Sequence, residues 1–378
     1  MWNHQYLRRL DFRTLPIIAL LMVMSVMIIA STTSQVQISG EDIFLTQHVK
    51  NQIQRFGVGI CCYLLFAGLD YHKLREWAWI LYVVIILLLL GLFFTEPIQH
   101  VHRWYRIPFV GGTLQPSEYA KLSLVLTLSW FLEKKGRDVA SIRTVFQAGL
   151  IVFIPFLLIL KQPDLGSAMV LFPMALGMFY FGGIRKGMIK LMSVLGVGAL
   201  IVISLIFTEV ISHEDLKPIA TKVLKEYQYE RFNPNTYHHE AAKTAIALGG
   251  YTGSGWKKST FTGRQFLPAA HTDSVFPAFV EEFGIFGAIF MLLLFFGLIY
   301  CSFQVTAVAR DHFGRVLAAG ISVYLAIHVV INVGMMCGFL PITGVPLILV
   351  TYGGSSVTLT MSALGILQSI YTRRFMFS

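Results

Sequence analysis

The stretch HTDSVFPAFVEEFGIFGAIFMLLLFFGLIYC, His271 to Cys301, decides what kind of protein this is. From Val275 onward it is apolar over more than the ~20 residues that carry a helix across about 30 Å of hydrocarbon. In lipid every backbone N–H and C=O needs an internal partner, so such a run is a helix. Three acids disturb it: Asp273 ends the polar stretch before it, and Glu281 and Glu282 lie inside it. An acid at mid-span costs roughly 2.5–3.5 kcal/mol on insertion scales, so it normally faces a polar cavity or a basic partner. Consecutive helical residues point about 100° apart, so one of the two glutamates faces any given cavity.

Apolar runs recur throughout the 378 residues, of which 55% are hydrophobic and 13% charged. Their spacing predicts ten spans, near 15–31, 56–69, 77–94, 119–132, 146–160, 166–182, 188–208, 275–301, 316–338 and 346–370. The runs are continuously apolar rather than alternating, which argues against a β-barrel. Arg8, Arg9 and Arg13 precede the first run without a small-residue cleavage site, so it reads as a retained span and not a signal peptide. Cys61, Cys62, Cys301 and Cys337 fall in or beside apolar runs, at spacings that fit neither a zinc site nor a disulfide framework. The net charge of +10 does not call for nucleic acid, because in a membrane protein the distribution of charge matters more than its sum. The expected fold is an all-α integral membrane protein, a single polytopic domain over residues 1–378.

The distribution tests the parity of the span count. The N-terminus, the turns near 70–76, 133–145, 183–190 and 302–315, and the C-terminus carry 16 lysines and arginines. The opposite short loops carry five: Lys50, Arg55, Arg103, Arg106 and Lys161. By the positive-inside rule both termini are cytoplasmic. Residues 209–273 then form one large external loop between spans seven and eight, rich in charge, including Asp215, Lys222, Lys225, Glu226, Glu230 and Arg231. Its middle, YHHEAAKTAIALGG, carries small and apolar residues at helical spacing and suits a helix along the membrane surface.

Several constellations carry chemistry, each with a plainer reading beside it. Thr272, Asp273 or Ser274 can cap the helix near Val275, with Pro277 tolerated in its first turn; from local sequence alone capping is the stronger reading of Asp273. Glu118 and Lys121 are three apart in QPSEYAK and share a helical face, where they either neutralise each other or join Arg103 and Arg106 in an anion site. Lys161, Gln162 and Asp164 crowd a very short external turn, KQPDLGSA, whose Pro163 and Gly166 are ordinary turn residues. GGYTGSGWKKS resembles a P-loop, but Trp256 stands where lysine is required, so it reads as a flexible glycine-rich turn with cations nearby. PITGVPLILVTYGGSS, Pro341 to Ser356, has the proline and glycine density of a broken helix beside a cavity.

Taken in order, RWYRIPFVGGTLQPSEYAK, QPDLGSA, FLPAAHTDSVFPAFVEEFGIFG and NVGMMCGFLPITGVPL…TYGGSS resemble the signature segments of the SEDS (shape, elongation, division and sporulation) family. The short N-terminal arm and tail look like its RodA branch. The resemblance implies a peptidoglycan glycosyltransferase that polymerises lipid II on the outer face of the cytoplasmic membrane, working with a class B penicillin-binding protein and other elongation-complex membrane proteins. It implies that Asp273 matches the family's essential aspartate, Glu118 and Lys121 its sensitive Glu and Lys, Arg103 its arginine before tryptophan, and Asp164 its turn aspartate. Ala241, Asn51, Ile348 and Thr351 depart from the family pattern, which bears on acceptor binding.

The implied reaction joins a sugar C4 hydroxyl to an anomeric carbon and expels a polyprenyl pyrophosphate. A hydroxyl is a poor nucleophile and needs a positioned carboxylate base, the role expected of Asp273. The leaving group needs cations: Arg103 and Lys121 with Glu118, then Lys161, or a divalent ion such as Mg or Mn. Asp164, Glu281, Glu282 and His271 are expected to support the site, the glutamates by holding their helix and neighbouring cations. A lipid II flippase or a non-catalytic scaffold of the cell-wall synthesis complex are the alternatives. A flippase would spread polar residues over both leaflets, and a scaffold would not need intramembrane Glu118 and Lys121.

Overall fold

The computed structural model describes residues 9–34, 44–96, 101–106, 113–208 and 233–374, with isolated positions between 210 and 229. Arg8 and the part of the external loop that holds Asp215, Lys222, Lys225, Glu226, Glu230 and Arg231 lie outside the described residues. Among those described, the long helices are α1 (Thr14–Ser34), α2 (Gln47–Gly68), α3 (Tyr71–Gly91), α4 (Pro116–Lys135), α5 (Ile142–Lys161), α6 (Leu165–Phe181), α7 (Lys186–Phe207), α9 (Val275–Val308), α10 (His312–Met336) and α11 (Gly354–Thr372), with the shorter α8 (Tyr237–Gly249) between α7 and α9. Each long helix coincides with an expected span. Six are long and apolar enough to cross a membrane by length and composition: α1, α3, α5, α7, α9 and α10. A two-stranded antiparallel pair, β1 (Tyr105–Arg106) and β2 (Thr113–Leu114), flanks the loop before α4.

The helix starts are written in the sequence. Thr46, Asp70, Ser141, Asp164, Thr236 and Asp311 accept from backbone N–H groups in the first turns of α2, α3, α5, α6, α8 and α10. Pro116 opens α4 at a position where its missing N–H costs nothing. At the other end of the bundle, Arg373 donates to the Ala67 and Gly68 carbonyls, closing the C-terminus of α2 with a cation.

α10 is the hub: 72% of its apolar window is buried, against 6% for α7, whose leucines and valines face outward as a lipid-facing helix should. α2 packs most extensively on α11. Gly59 meets Val357 and Met361, and Gly365 meets the Tyr63 carbonyl, so both backbones approach closely.

Two expected spans are corrected. The run from Val275 is not one helix: Gly284 has φ 64 and ψ −167, so a segment over 275–283 is separated from a straight span over 285–308. A Cβ at Gly284 would run into the Tyr251 carbonyl and Gly253 amide. The backbone groups released at the break bond to the glycine-rich turn: Ile285 N to Gly250 O at 2.9 Å, Ser254 N to Glu281 O at 2.9 Å and Gly255 N to Glu282 O at 3.0 Å. The final span does not begin at 346. Residues 341–353 are irregular backbone, largely buried, and helix resumes at Gly354. α8 likewise lays Ala241, Ala242 and Ala245 on α9 rather than presenting them to lipid, because alanines allow close helix contact.

Candidate active site

The short turn between α5 and α6 gathers the first part of the site. Asp164 caps α6 through the Ser167 amide at 3.2 Å, and its other oxygen accepts from Ser117 Oγ at 2.7 Å and Gln115 Nε2 at 3.0 Å. Trp104 Nε1 holds the Gln115 amide oxygen at 3.3 Å. Arg103 reaches the same turn, donating from Nε to the Gln162 carbonyl at 3.2 Å and from a terminal nitrogen to the Pro163 carbonyl. Burial alone would raise the Asp164 carboxyl, but the Arg103 charge and the Ser117 and Ser167 bonds hold it below the ordinary range. Asp164 is therefore a charged, fully bonded structural anchor.

Asp273 differs in its bonding. No side-chain cap forms at the start of α9, where Ser274 Oγ instead meets His238 Nε2 at 2.7 Å. The capping reading of Asp273 is thus overturned. Among the described residues its carboxylate takes part in no hydrogen bond, although its backbone is fixed: Asn332 Nδ2 donates to the Asp273 carbonyl at 3.2 Å and to the Val345 carbonyl at 2.8 Å. That bridge seats the irregular 341–353 segment against the aspartate. At Gly344, φ is 78 and an added Cβ would lie 3.4 Å from Asp273 Oδ2. Burial raises the Asp273 carboxyl, Arg103 opposes the rise and the Asp164 charge adds to it.

Glu118 and Lys121 pair as the spacing predicted, at 2.6 Å, but they do so inside the bundle, with side chains 5% and 1% exposed. Lys121 is not external. Its ammonium also donates to His328 Nε2 at 3.0 Å, which leaves the imidazole proton on Nδ1, facing the Pro346 carbonyl at 3.2 Å. The pair thus ties α4 through α10 to the irregular segment. Lys161 is exposed at the end of α5 and joins none of these bonds.

Glu281 and Glu282 are both 1% exposed, and each faces its own set of partners. Glu281 accepts from the Phe261 and Thr262 amides at 2.8 and 3.0 Å and from Thr262 Oγ1 at 2.5 Å. Glu282 accepts from Ser259 Oγ at 3.2 Å and from Ser31 Oγ on α1. Both glutamates fasten the loop over 254–262 to the short segment of α9. The GGYTGSGWKKS turn is accordingly docked rather than free. His271 meets the His48 ring in a tilted contact and the Tyr352 ring edge-on, and burial, followed by the His48 charge, lowers its pKa. Among the described residues no three or more His, Cys, Asp or Glu side chains are grouped to hold a metal ion.

Two aspartates at helix starts, Asp164 buried and fully bonded and Asp273 half-buried and open to the charge of Arg103, are set against an irregular segment pinned by Asn332. A family model described as FTSW_RODA_SPOVE, cell cycle protein, matches residues 12–375. The chain belongs to this FtsW/RodA/SpoVE family. Peptidoglycan glycosyltransferase MrdB of Escherichia coli (strain K12) is 32% identical over 382 residues, covering 98% of this chain and 95% of that protein. Stage V sporulation protein E of Bacillus subtilis (strain 168) is 31% identical, covering 85% and 86%. Among solved structures, the rod shape determining protein RodA of Thermus thermophilus superposes with TM-score 0.69 at 23% identity, over 97% of this chain and 98% of that one. A chain from work on structural coordination of polymerization and crosslinking by a peptidoglycan synthase complex gives TM-score 0.74 at 23% identity and the same coverage. These two share the fold.

Within this RodA-like fold, sequence reading missed Gln115, Ser117, His328 and Asn332. Gln115 and Ser117 sit in the quoted segment QPSE but look like ordinary helix-start residues. His328 and Asn332 stand four apart in an apolar run, hence on one helical face. That spacing was the available signal.

Proposed function

We propose that this chain polymerises lipid II on the outer side of the cytoplasmic membrane, with Asp273 as the general base. The chain is a multi-pass membrane protein of the RodA type and a peptidoglycan glycosyltransferase. The observation that carries the residue assignment is the state of the Asp273 carboxylate: partly buried, facing Arg103 electrostatically, seated by Asn332, and free of capping and hydrogen-bond duties among the described residues.

The acceptor C4 hydroxyl loses its proton to Asp273 as its oxygen bonds the donor anomeric carbon. The bond from that carbon to the pyrophosphate oxygen breaks, and its electron pair leaves with the polyprenyl pyrophosphate. One displacement inverts the anomeric centre, so an α-linked donor gives a β-linked strand. A carboxyl raised by burial is a stronger base than an exposed aspartate, which suits proton abstraction from an alcohol. Arg103, beside both aspartates, offsets the negative charge that gathers there. Glu118 and Lys121 act from inside the bundle, by holding His328 and the Pro346 carbonyl in place.

All ten long helices cross the membrane in this reading, both termini lie in the cytoplasm, and Asp164, Asp273 and α8 face outward, as the excess of Lys and Arg on the opposite loops supports. A class B penicillin-binding protein with a single span is the expected partner, alongside other membrane proteins of the elongation complex. The apolar side chains of Phe286, Ile289, Phe290, Leu293 and Phe296, exposed along α9, offer a surface for such a span. Purified protein incubated with lipid II, alone and with a candidate transpeptidase, tests the proposal. Glycan strands are expected in both arms, and more with the partner. Lipid II moved across vesicles with no strand formed would favour the flippase reading instead.

A further inference from the structure

Departure of a pyrophosphate calls for positive charge, and the cations expected to supply it are engaged elsewhere. Lys121 is buried between Glu118 and His328, and Arg103 directs its guanidinium onto the Gln162 and Pro163 carbonyls. A different cation stands open. Arg55, on α2, lays its guanidinium over the Tyr352 ring with 4.0 Å from carbon to centroid, and its Nη1 is buried without a hydrogen-bond partner. An arginine nitrogen left in that condition is costly unless something occupies the place it faces.

The surroundings of Arg55 are built from donors and rings. Asn51, one turn earlier on α2, donates to the Tyr352 hydroxyl at 3.4 Å. His48 lies on the same helix face, its ring 5.2 Å from that of His271 and 5.3 Å from that of Tyr352. The Tyr352 amide donates to the His271 carbonyl at 3.0 Å, which anchors the group two residues from Asp273. None of these contacts comes from an acid. His48 is exposed, and Arg55, His271 and Tyr352 are only partly buried, so a ligand can reach them.

We propose that Arg55, His48, His271 and Tyr352 form the binding site for the pyrophosphate of the polyprenyl carrier. The inference rests on the glycosyl-transfer reading and assigns its leaving group a place. The guanidinium fork matches two phosphate oxygens, and stacking on Tyr352 fixes its plane before the ligand arrives. The imidazoles add donors on one side, and the irregular segment that carries Tyr352 also borders Asp273, so base and leaving group are seated by one piece of backbone. The two roles separate cleanly: Asp273 receives the acceptor proton, and Arg55 holds the oxygen that receives the electron pair.

Binding of farnesyl pyrophosphate, farnesol and inorganic pyrophosphate to the full-length protein in detergent, followed by calorimetry, tests the assignment. Arg55→Ala should weaken farnesyl pyrophosphate about tenfold or more while farnesol binding stays unchanged. Arg55→Lys, which keeps charge but loses the fork, should fall between the two, and His48→Ala should also weaken binding and serves if Arg55→Ala does not fold. Asp273→Asn, which removes a like charge near the site, should bind farnesyl pyrophosphate at least as tightly as the parent protein. Undiminished affinity in folded Arg55→Ala overturns the site, and inorganic pyrophosphate bound as tightly as the farnesyl ester overturns its assignment to a lipid carrier. Were Asp273→Asn to polymerise lipid II while Arg55→Ala still lost affinity, the base assignment would fail and the pyrophosphate site would stand.

Discussion

Asp164 and Asp273 are both aspartates at the starts of helices, and their surroundings give them different chemistry. Asp164 is held low by Arg103, Ser117 and Ser167, whereas Asp273 is raised by burial and by Asp164. A base works only when deprotonated, so activity should be present above the Asp273 pKa and fall as pH drops through it. The acid limb of kcat/KM should therefore lie above the ordinary aspartate range. Asp164→Asn, which keeps a capping side chain but removes a charge, should move that limb to lower pH, and Arg103→Gln should move it to higher pH; pH–rate profiles of the three proteins check both signs. A different expectation attaches to Lys121. Because Glu118 is buried with it, Lys121→Ala leaves a carboxylate without its cation and should destabilise the protein by about 3–5 kcal/mol. Thermal melting in detergent should show that loss, and Glu118→Gln combined with Lys121→Met should recover much of it. Nothing in the spacing of Glu118 and Lys121 distinguished a buried pair from an external anion site. The deciding partner, His328, is 207 positions away.

At the scale of elements, the break at Gly284 explains how two adjacent glutamates are tolerated at the start of an apolar helix. They lie in the short segment before the break, where the loop over 259–262 supplies amides and hydroxyls and α1 supplies Ser31. Gly284→Ala forces a left-handed residue to carry a Cβ against the Tyr251 carbonyl, a cost of about 1–3 kcal/mol for the backbone alone. The loop over 250–262 should then lose its anchorage, and hydrogen exchange at the Ser254 and Gly255 amides should accelerate relative to the parent protein. The ten long helices were legible because continuous apolar runs and capping residues such as Asp70, Ser141 and Asp311 are local signals. The break was not, because Phe283 to Phe286 reads as apolar helix and only contact with Tyr251 and Gly253 shows why the glycine turns left-handed. Leu347 to Val350 was half legible: the proline and glycine density of 341–356 signalled a broken helix, but its apolar residues also extend the last span. Its bonds come from elsewhere: the Leu347 amide donates to Thr351 Oγ1 and Ser25 Oγ on α1 donates to the Val350 carbonyl, both at 2.8 Å.

For the whole molecule, family membership and the bundle of long helices describe a multi-pass membrane glycosyltransferase whose two aspartates lie at helix starts. α10 sits at the centre, carrying Asn332 beneath Asp273 and His328 beside Lys121, so one helix couples the site to the bundle core. The central claim is that the open carboxylate of Asp273 removes the acceptor proton. Asp273→Asn keeps the size of the side chain and its backbone bond from Asn332, and removes only the basic oxygen. Lipid II polymerisation by the purified protein, with melting temperature measured on the same sample, isolates that difference. The account predicts an unchanged melting temperature and glycan synthesis reduced by roughly 10²-fold or more, the contribution expected of a general base. Strands formed at the parental rate by Asp273→Asn would contradict it.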